Sequence, residues 1–290
     1  MNDTTARQNL FAGIVTFNPD IELLRKNIEA ICAQVDLVII VDNGSRNLED
    51  IRPLADAHHC KLIPNAQNEG IATALNQIAL AGKGDGYSWM LTLDQDSECP
   101  PDFCSTLSQF FSMNSRIAIV APVIQDRDRG IIGHKPAGTY GEVRTCITSG
   151  SCTRLSAWEK IGGFDEKLFI DSVDFDFCYR IRKTGYVIIQ TREAVLEHSI
   201  GEVKKNKLLG IPYSEHSAFR YYYISKNNIY YPLKNRLYLH ALRGNARNMR
   251  NLLQVLFLKR IKKLSLNKLL GGGSTDTNRF SYTRLSVVHV

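Results

Sequence analysis

The sequence predicts a doubly wound α/β domain with a mostly parallel sheet, followed by a basic helical extension. Three observations carry that reading. Short apolar runs alternate with segments of helical spacing along residues 10–93. The runs show no in–out alternation, as in Leu37-Val38-Ile39-Ile40-Val41, which suits parallel strands covered on both faces. The charge is also divided: residues 201–270 hold 15 Lys+Arg against Glu202 and Glu215, although the whole chain is only +7.

The elements follow in order. Leu10–Phe17 is the first predicted strand. Asn18-Pro19 opens the first helix, a capping side chain before a ring already set to helical φ. Ile21, Leu24, Ile28 and Ile31 then recur at helical spacing. Asp36–Val41 is the second strand and runs into the turn Asp42-Asn43-Gly44-Ser45. Ile51–Ala57 reads as a helix and Lys61–Pro64 as a short strand. Asn68-Glu69-Gly70 leads into a helix whose small residues permit close approach to a sheet or a ligand. Tyr87–Leu93 is the fourth strand. Pro100-Pro101 starts a helix reaching about Met113, and Ile117–Ala121 is a strand.

Val123–Arg144 breaks into glycines and charges, predicting a hairpin or mobile loop over the sheet edge. A helix follows at Leu155–Ile161. Another runs through Cys178 to Gly185, a good C-cap. Tyr186–Gln190 and Ala194–His198 read as two short strands. Residues 213–263 read as helical, with a tyrosine cluster around Tyr221–Tyr223. The predicted division is a first domain at 1–205, a basic helical extension at 206–270 and a flexible tail at 271–290, entered through Gly271-Gly272-Gly273-Ser274.

Composition narrows the function classes. With 44% hydrophobic and 22% charged residues the chain is an ordinary globular protein. No apolar run reaches bilayer length, and the first residues lack the apolar core of a signal peptide. Seven scattered cysteines with no CxxC predict reduced thiols in a cytosolic protein, not a disulfide frame or a zinc cluster. The absence of G-x-G-x-x-G after the first strand argues against a dinucleotide oxidoreductase. A nucleic-acid-binding protein using the basic segment is the rival class. It predicts salt-steep binding to any duplex, but leaves the acidic strand ends unexplained and has no helix-turn-helix or zinc pattern behind it.

Those acidic ends carry the chemistry. Asp94-Gln95-Asp96 closes the fourth strand. Carboxylates at i and i+2 of extended chain point to one side, and ligands of open α/β sheets bind beyond the carboxyl ends of the strands. Two readings stand: a solvated turn, or a pair gripping Mg²⁺ or Mn²⁺ that also holds a diphosphate.

Further segments stand in a characteristic order: Val15-Thr16-Phe17-Asn18, Val41-Asp42-Asn43-Gly44-Ser45, Asn68-Glu69-Gly70-Ile71-Ala72 with Asn76, Asp94-Gln95-Asp96, Thr148-Ser149-Gly150, and Gly163-Phe164-Asp165-Glu166 running to Asp174. Together they resemble the inverting glycosyltransferases of family 2, which have the GT-A fold. Leu168–Asp174 and the Tyr221–Asn228 stretch look most like bacterial rhamnosyltransferases that use dTDP-L-rhamnose.

The resemblance implies roles. Thr16, Asn18, Asp42 and Asn43 would form the nucleotide site, with Asp42 accepting from the base or ribose. Asn68, Gly70 and Asn76 would lie near the phosphates or hold that loop closed, and Gly150 would line the substrate site. Asp94 would meet the ribose or the metal, and Asp96 the metal. His198 would approach metal or diphosphate, with a purely structural histidine as the alternative. Asp174 stands where the family shows the second member of a Glu-Asp pair, the general base. The first member here is Val173, which leaves Asp171 as a rival, and Asp176 reads as a supporting residue.

The resemblance further implies a nucleotide-sugar donor and a lipid-linked or polysaccharide acceptor in bacterial cell-surface glycan synthesis. Another UDP-, GDP- or dTDP-sugar is the alternative donor. The apolar residues Leu252–Leu258, set among Arg250, Lys259 and Arg260, predict an interfacial helix on an anionic membrane surface. The expected location is the cytoplasmic face of the membrane. A helix pair with a solvated basic face is the alternative.

Overall fold

The computed structural model describes residues 9–126, 130–197, 204–205, 212–213 and 217–269. The chain divides into two compact units, the first reaching Glu202 and the second starting at Val203. In the first unit, β1 (Leu10–Thr16), α1 (Ile21–Cys32), β2 (Val38–Asp42), α2 (Leu48–Ala57), β3 (Lys61–Pro64), α3 (Ile71–Gly84) and β4 (Trp89–Asp94) alternate. Then come α4 (Phe103–Ser108), β5 (Ile117–Asp126), β6 (Gly130–Ile132), β7 (Tyr140–Val143), β8 (Ser151–Arg154) and α5 (Leu155–Lys160). A 3₁₀ turn at Glu166–Leu168, α6 (Val173–Lys183) and β9 (Val187–Glu197) complete it.

The sheet runs in the order β3-β2-β1-β4-β8-β5-β9-β7, with β6 paired to β5. The first four strands in that order are parallel, as are β5 and β9. Strand β8 is antiparallel to both β4 and β5, so those two run the same way. The carboxyl ends of β1, β2, β4, β5 and β9 therefore share one edge. Both faces of the sheet are covered: Phe11, Ala12 and Ile14 of β1 and Ile39, Ile40 and Val41 of β2 are all fully buried. That explains the unbroken apolar runs.

Several boundaries differ from the sequence reading. The cap of α1 is Asp20, whose side chain accepts from the Glu22 and Leu23 N–H groups. Asn18 is held at φ 48 and instead accepts from Arg46 N–H; the ring of Pro19 keeps it out of the helical region. Helix α4 begins only after Asp102, whose left-handed φ of 61 separates Pro100-Pro101 from the helix. Strand β8 was absent from the sequence reading. The two expected strands at Tyr186–His198 are one, β9, interrupted where the register jumps from Pro122–Thr191 to Val123–Val195. The glycine- and charge-rich stretch after Val123 supplies the end of β5 together with β6 and β7. Gly185 does follow α6 in the left-handed conformation, at φ 85.

The second unit contains α7 (Ala218–Lys234) and α8 (Tyr238–Leu269). Ser217 caps α7 by accepting from Arg220 N–H. Asn228 donates to Asn248, and Asn248 donates to the Ser225 carbonyl, clamping the two helices. Among the described residues no helix is long and apolar enough to cross a membrane.

Candidate active site

Strand register assembles the first part of the site. Thr16 pairs with Asp42 across β1 and β2, and Val15 with Asp94 across β1 and β4. Asp42 is fully buried. Thr16 Oγ1 donates to its Oδ1 at 2.9 Å and Ser45 N–H to its Oδ2 at 2.9 Å, and the Ser45 hydroxyl adds a third bond. Asn18 N–H donates to that Ser45 hydroxyl. Asp42 thus ties two strand ends and a turn together, and its carboxylate is engaged within the protein. The same holds for Thr16, also fully buried.

Beyond Asp42 an amide network begins. Asn43 donates to Asn68 Oδ1, while its own Oδ1 accepts from Asn65 and from Glu69 N–H. Asn68 Oδ1 also accepts from Gly70 N–H. Gly70 has φ 88, a conformation glycine adopts at no steric cost. Asn76 spends its amide on bonds within the protein. Its Nδ2 donates to Phe164 O at 3.0 Å and Glu166 Oε1 at 2.9 Å; its Oδ1 accepts from Trp158 Nε1 at 3.1 Å and Phe164 N–H at 2.8 Å. Every amide valence is used in tying α3 to the Gly163–Glu166 loop and to Trp158 of α5. Holding a loop closed is therefore its place in the geometry.

Asp94 is the last residue of β4, not a residue beyond it. Asn27 donates to its carbonyl, and its N–H donates to Ser149 Oγ. Gln95 accepts from Phe17 N–H at 2.8 Å, closing the gap to β1. Asp96 is exposed. Two carboxylates at a rigid strand end are hard oxygen donors of the kind Mg²⁺ and Mn²⁺ take. Among the described residues no three His, Cys, Asp or Glu converge on one point, so a cation here would complete its shell with ligand oxygens and water. His198 lies outside the described residues. Gly150 is buried, its N–H donating to Thr92 O at 2.7 Å, and a Cβ on it would lie 2.7 Å from Leu196. It packs the sheet and offers no surface to a substrate.

Ser151, next in the chain, helps line a cleft with Pro122, Ile124, His134, Gln190 and Asp174. Asp174 is 4% exposed and sits in the first turn of α6, where the helix dipole favours a carboxylate. Asp171 is half-buried just before that helix. Asp176 is fully buried and accepts from Arg180 Nε at 2.7 Å. Arg180 also donates to the Ile161 and Gly163 carbonyls. Sequence reading missed Arg180, although its i+4 spacing from Asp176 was a usable signal. It also missed Cys146, which lines the cleft with its sulfur 3.9 Å from that of Cys178. Hydrogen bonding with Cys146, and then burial, push the Cys178 thiol well above its usual range.

The profile of Glycosyl transferase family 2 matches residues 12–179. The chain is 32% identical over 245 residues to the dTDP-rhamnosyl transferase RfbF of Shigella flexneri, covering 79% of this chain and 81% of that one. It is 24% identical over 201 residues to the N-acetylglucosaminyl-diphospho-decaprenol L-rhamnosyltransferase of Mycobacterium tuberculosis, covering 56% and 66%. A Pyrobaculum calidifontis mannosyltransferase solved with GDP-Man and Mn²⁺ superposes with a TM-score of 0.55 at 16% identity, over 70% of this chain and 60% of that one. GalNAc-T7 solved with UDP, GalNAc and Mn²⁺ gives 0.57 at 15% identity, over 76% and 48%. Those two likenesses establish the GT-A fold. With the family profile spanning more than half its length, the chain belongs to glycosyl transferase family 2.

Proposed function

We propose that the protein transfers L-rhamnose from dTDP-L-rhamnose, with inversion, to a hydroxyl of a lipid-linked saccharide in bacterial cell-surface glycan synthesis. The observation that carries the chemistry is the placement of Asp174. It is a buried carboxylate on the wall of a cleft that Pro122, Ser151 and Gln190 also line. The donor and acceptor classes are supported by the names of the two rhamnosyltransferase relatives.

Asp174 accepts the acceptor hydroxyl's proton as that oxygen attacks the anomeric carbon, making a weak nucleophile competent. A single displacement needs one base and no covalent intermediate, and the nucleoside diphosphate departs from the opposite face. Asp94 and Asp96 would hold Mg²⁺ or Mn²⁺, which when bound supplies charge neutralisation for the departing diphosphate. Asp171 is the alternative base. Asn43, Asn68 and Gly70 shape the turn beside the nucleotide.

The basic unit docks the enzyme on an anionic leaflet, at the cytoplasmic face where a lipid-linked acceptor is presented. Residues 217–269 contain 12 Lys+Arg and no acid. On α8, Leu239, Leu242, Met249, Leu253 and Leu256 form an exposed stripe at three-, four- and seven-residue spacing, with Arg243, Arg247 and Arg250 also exposed on the same helix. Each cation near such a surface contributes about 1 kcal/mol.

The test is a transfer assay with Mn²⁺ across dTDP-, UDP- and GDP-sugars. Turnover of dTDP-L-rhamnose above the others, lost in Asp174→Asn with donor binding retained, supports the reading. Turnover of another sugar instead, or normal turnover by Asp174→Asn, overturns it. Flotation with anionic liposomes tests docking; protein that stays at the bottom of the gradient defeats it.

A further inference from the structure

We infer that Phe169 is a positioning residue that locks the Asn68–Gly70 turn to the base-bearing end of α6. The inference rests on the reading of Asp174 as the base. A Cβ on Gly70 would lie 2.7 Å from the Phe169 ring and 2.8 Å from its Cα. Phe169 therefore occupies the space a side chain at position 70 would need. Ile71 N–H, among the first donors of α3 and so without a partner inside its helix, donates to Phe169 O at 2.7 Å. The other side of Gly70 is held by Asn68 Oδ1, which also binds Asn43 at the end of β2. A continuous line of hydrogen bonds and close packing thus runs from the second strand to Phe169.

The segment between Phe169 and α6 is strained. Phe169, Asp171 and Ser172 have φ of 60, 65 and 63, in the left-handed region that L side chains rarely adopt. Backbone of this kind persists only where its surroundings over-determine it. One end is pinned by the Gly70 contact and the Ile71 bond. The other is pinned by buried Val173 and by Phe177, stacked on Phe164 at 4.1 Å between ring centres. Asp174 lies two residues after Ser172. The direction of its carboxylate is set by this pinned run, so the seat of the nucleotide turn and the aim of the base are mechanically one object. Misplacing a catalytic group by an ångström is enough to lose much of its effect.

The experiment uses full-length Phe169→Ala, Phe169→Leu and Asp174→Asn. It measures kcat and donor KM, dTDP affinity by calorimetry, and thermal unfolding. Expected in Phe169→Ala is a kcat loss of about tenfold or more, with donor KM and dTDP affinity within about twofold of wild type. Phe169→Leu, which keeps a bulky side chain against Gly70, recovers most of the lost kcat. The inference is overturned if Phe169→Ala turns over like wild type, if kcat and affinity fall together, or if Leu is no better than Ala. Should Asp174→Asn stay active, the base reading falls and takes this inference with it. Should Asp174→Asn be dead while Phe169→Ala is fully active, only the positioning role falls.

Discussion

Replacing Asn76 with leucine separates a bracing role from a ligand role. Leucine keeps the shape and removes all four hydrogen bonds. The stranded groups are the Trp158 indole N–H and the Phe164 N–H and C=O, on residues 6% and 3% exposed, together with the Glu166 carboxylate, which reaches solvent. A buried polar group left without a partner costs about 1–3 kcal/mol. Three such groups, partly relaxed, sum to about 3–5 kcal/mol, a large share of the 5–15 kcal/mol that holds a typical domain folded. Guanidinium unfolding followed by tryptophan emission measures this directly, because Trp158 reports on its own lost bond. The midpoint should fall at unchanged slope. In the protein that remains folded, donor KM should stay near wild type. A stability loss below about 1 kcal/mol, or donor affinity lost at full stability, would refute the bracing argument.

Other outcomes follow from the same geometry. Arg180→Met removes the ion pair to the fully buried Asp176 and the bonds to two carbonyls, and should cost about 3–5 kcal/mol in urea unfolding; a neutral result would remove the pair from what holds α6. Asp96→Asn should raise the Mn²⁺ concentration for half-maximal activity by about tenfold or more, whereas an unchanged metal titration removes Asp96 from the ion. The Cys32 and Cys60 sulfurs lie 3.9 Å apart, and this contact lowers the Cys32 thiol and raises that of Cys60. A lowered pKa means thiolate at lower pH, so iodoacetamide followed by peptide mass spectrometry should label Cys32 before Cys60 as pH rises. Cys178, pushed up and fully buried, should label only on unfolding; early labelling of Cys178 would show that α6 opens.

The doubly wound architecture was legible because burial on both faces leaves an unmistakable mark: apolar runs such as Val38–Val41, ending in polar turns. The basic extension was equally legible, since charge is a property of composition and needs no fold. Asp94, Asp96 and Asp174 could be picked out because acidic residues at strand ends and helix starts break the apolar pattern. What tertiary structure alone decided is which of these side chains is spent on the protein itself. Asp42 and Asn76 look alike in a motif whether they face a ligand or a neighbouring loop. Their partners Thr16, Trp158 and Phe164 come from other strands and helices, and hydrogen bonds formed across long chain separations have no local signature. The same reason hides Phe169 against Gly70. A positive φ and a missing Cβ acquire meaning only when a distant segment fills the space.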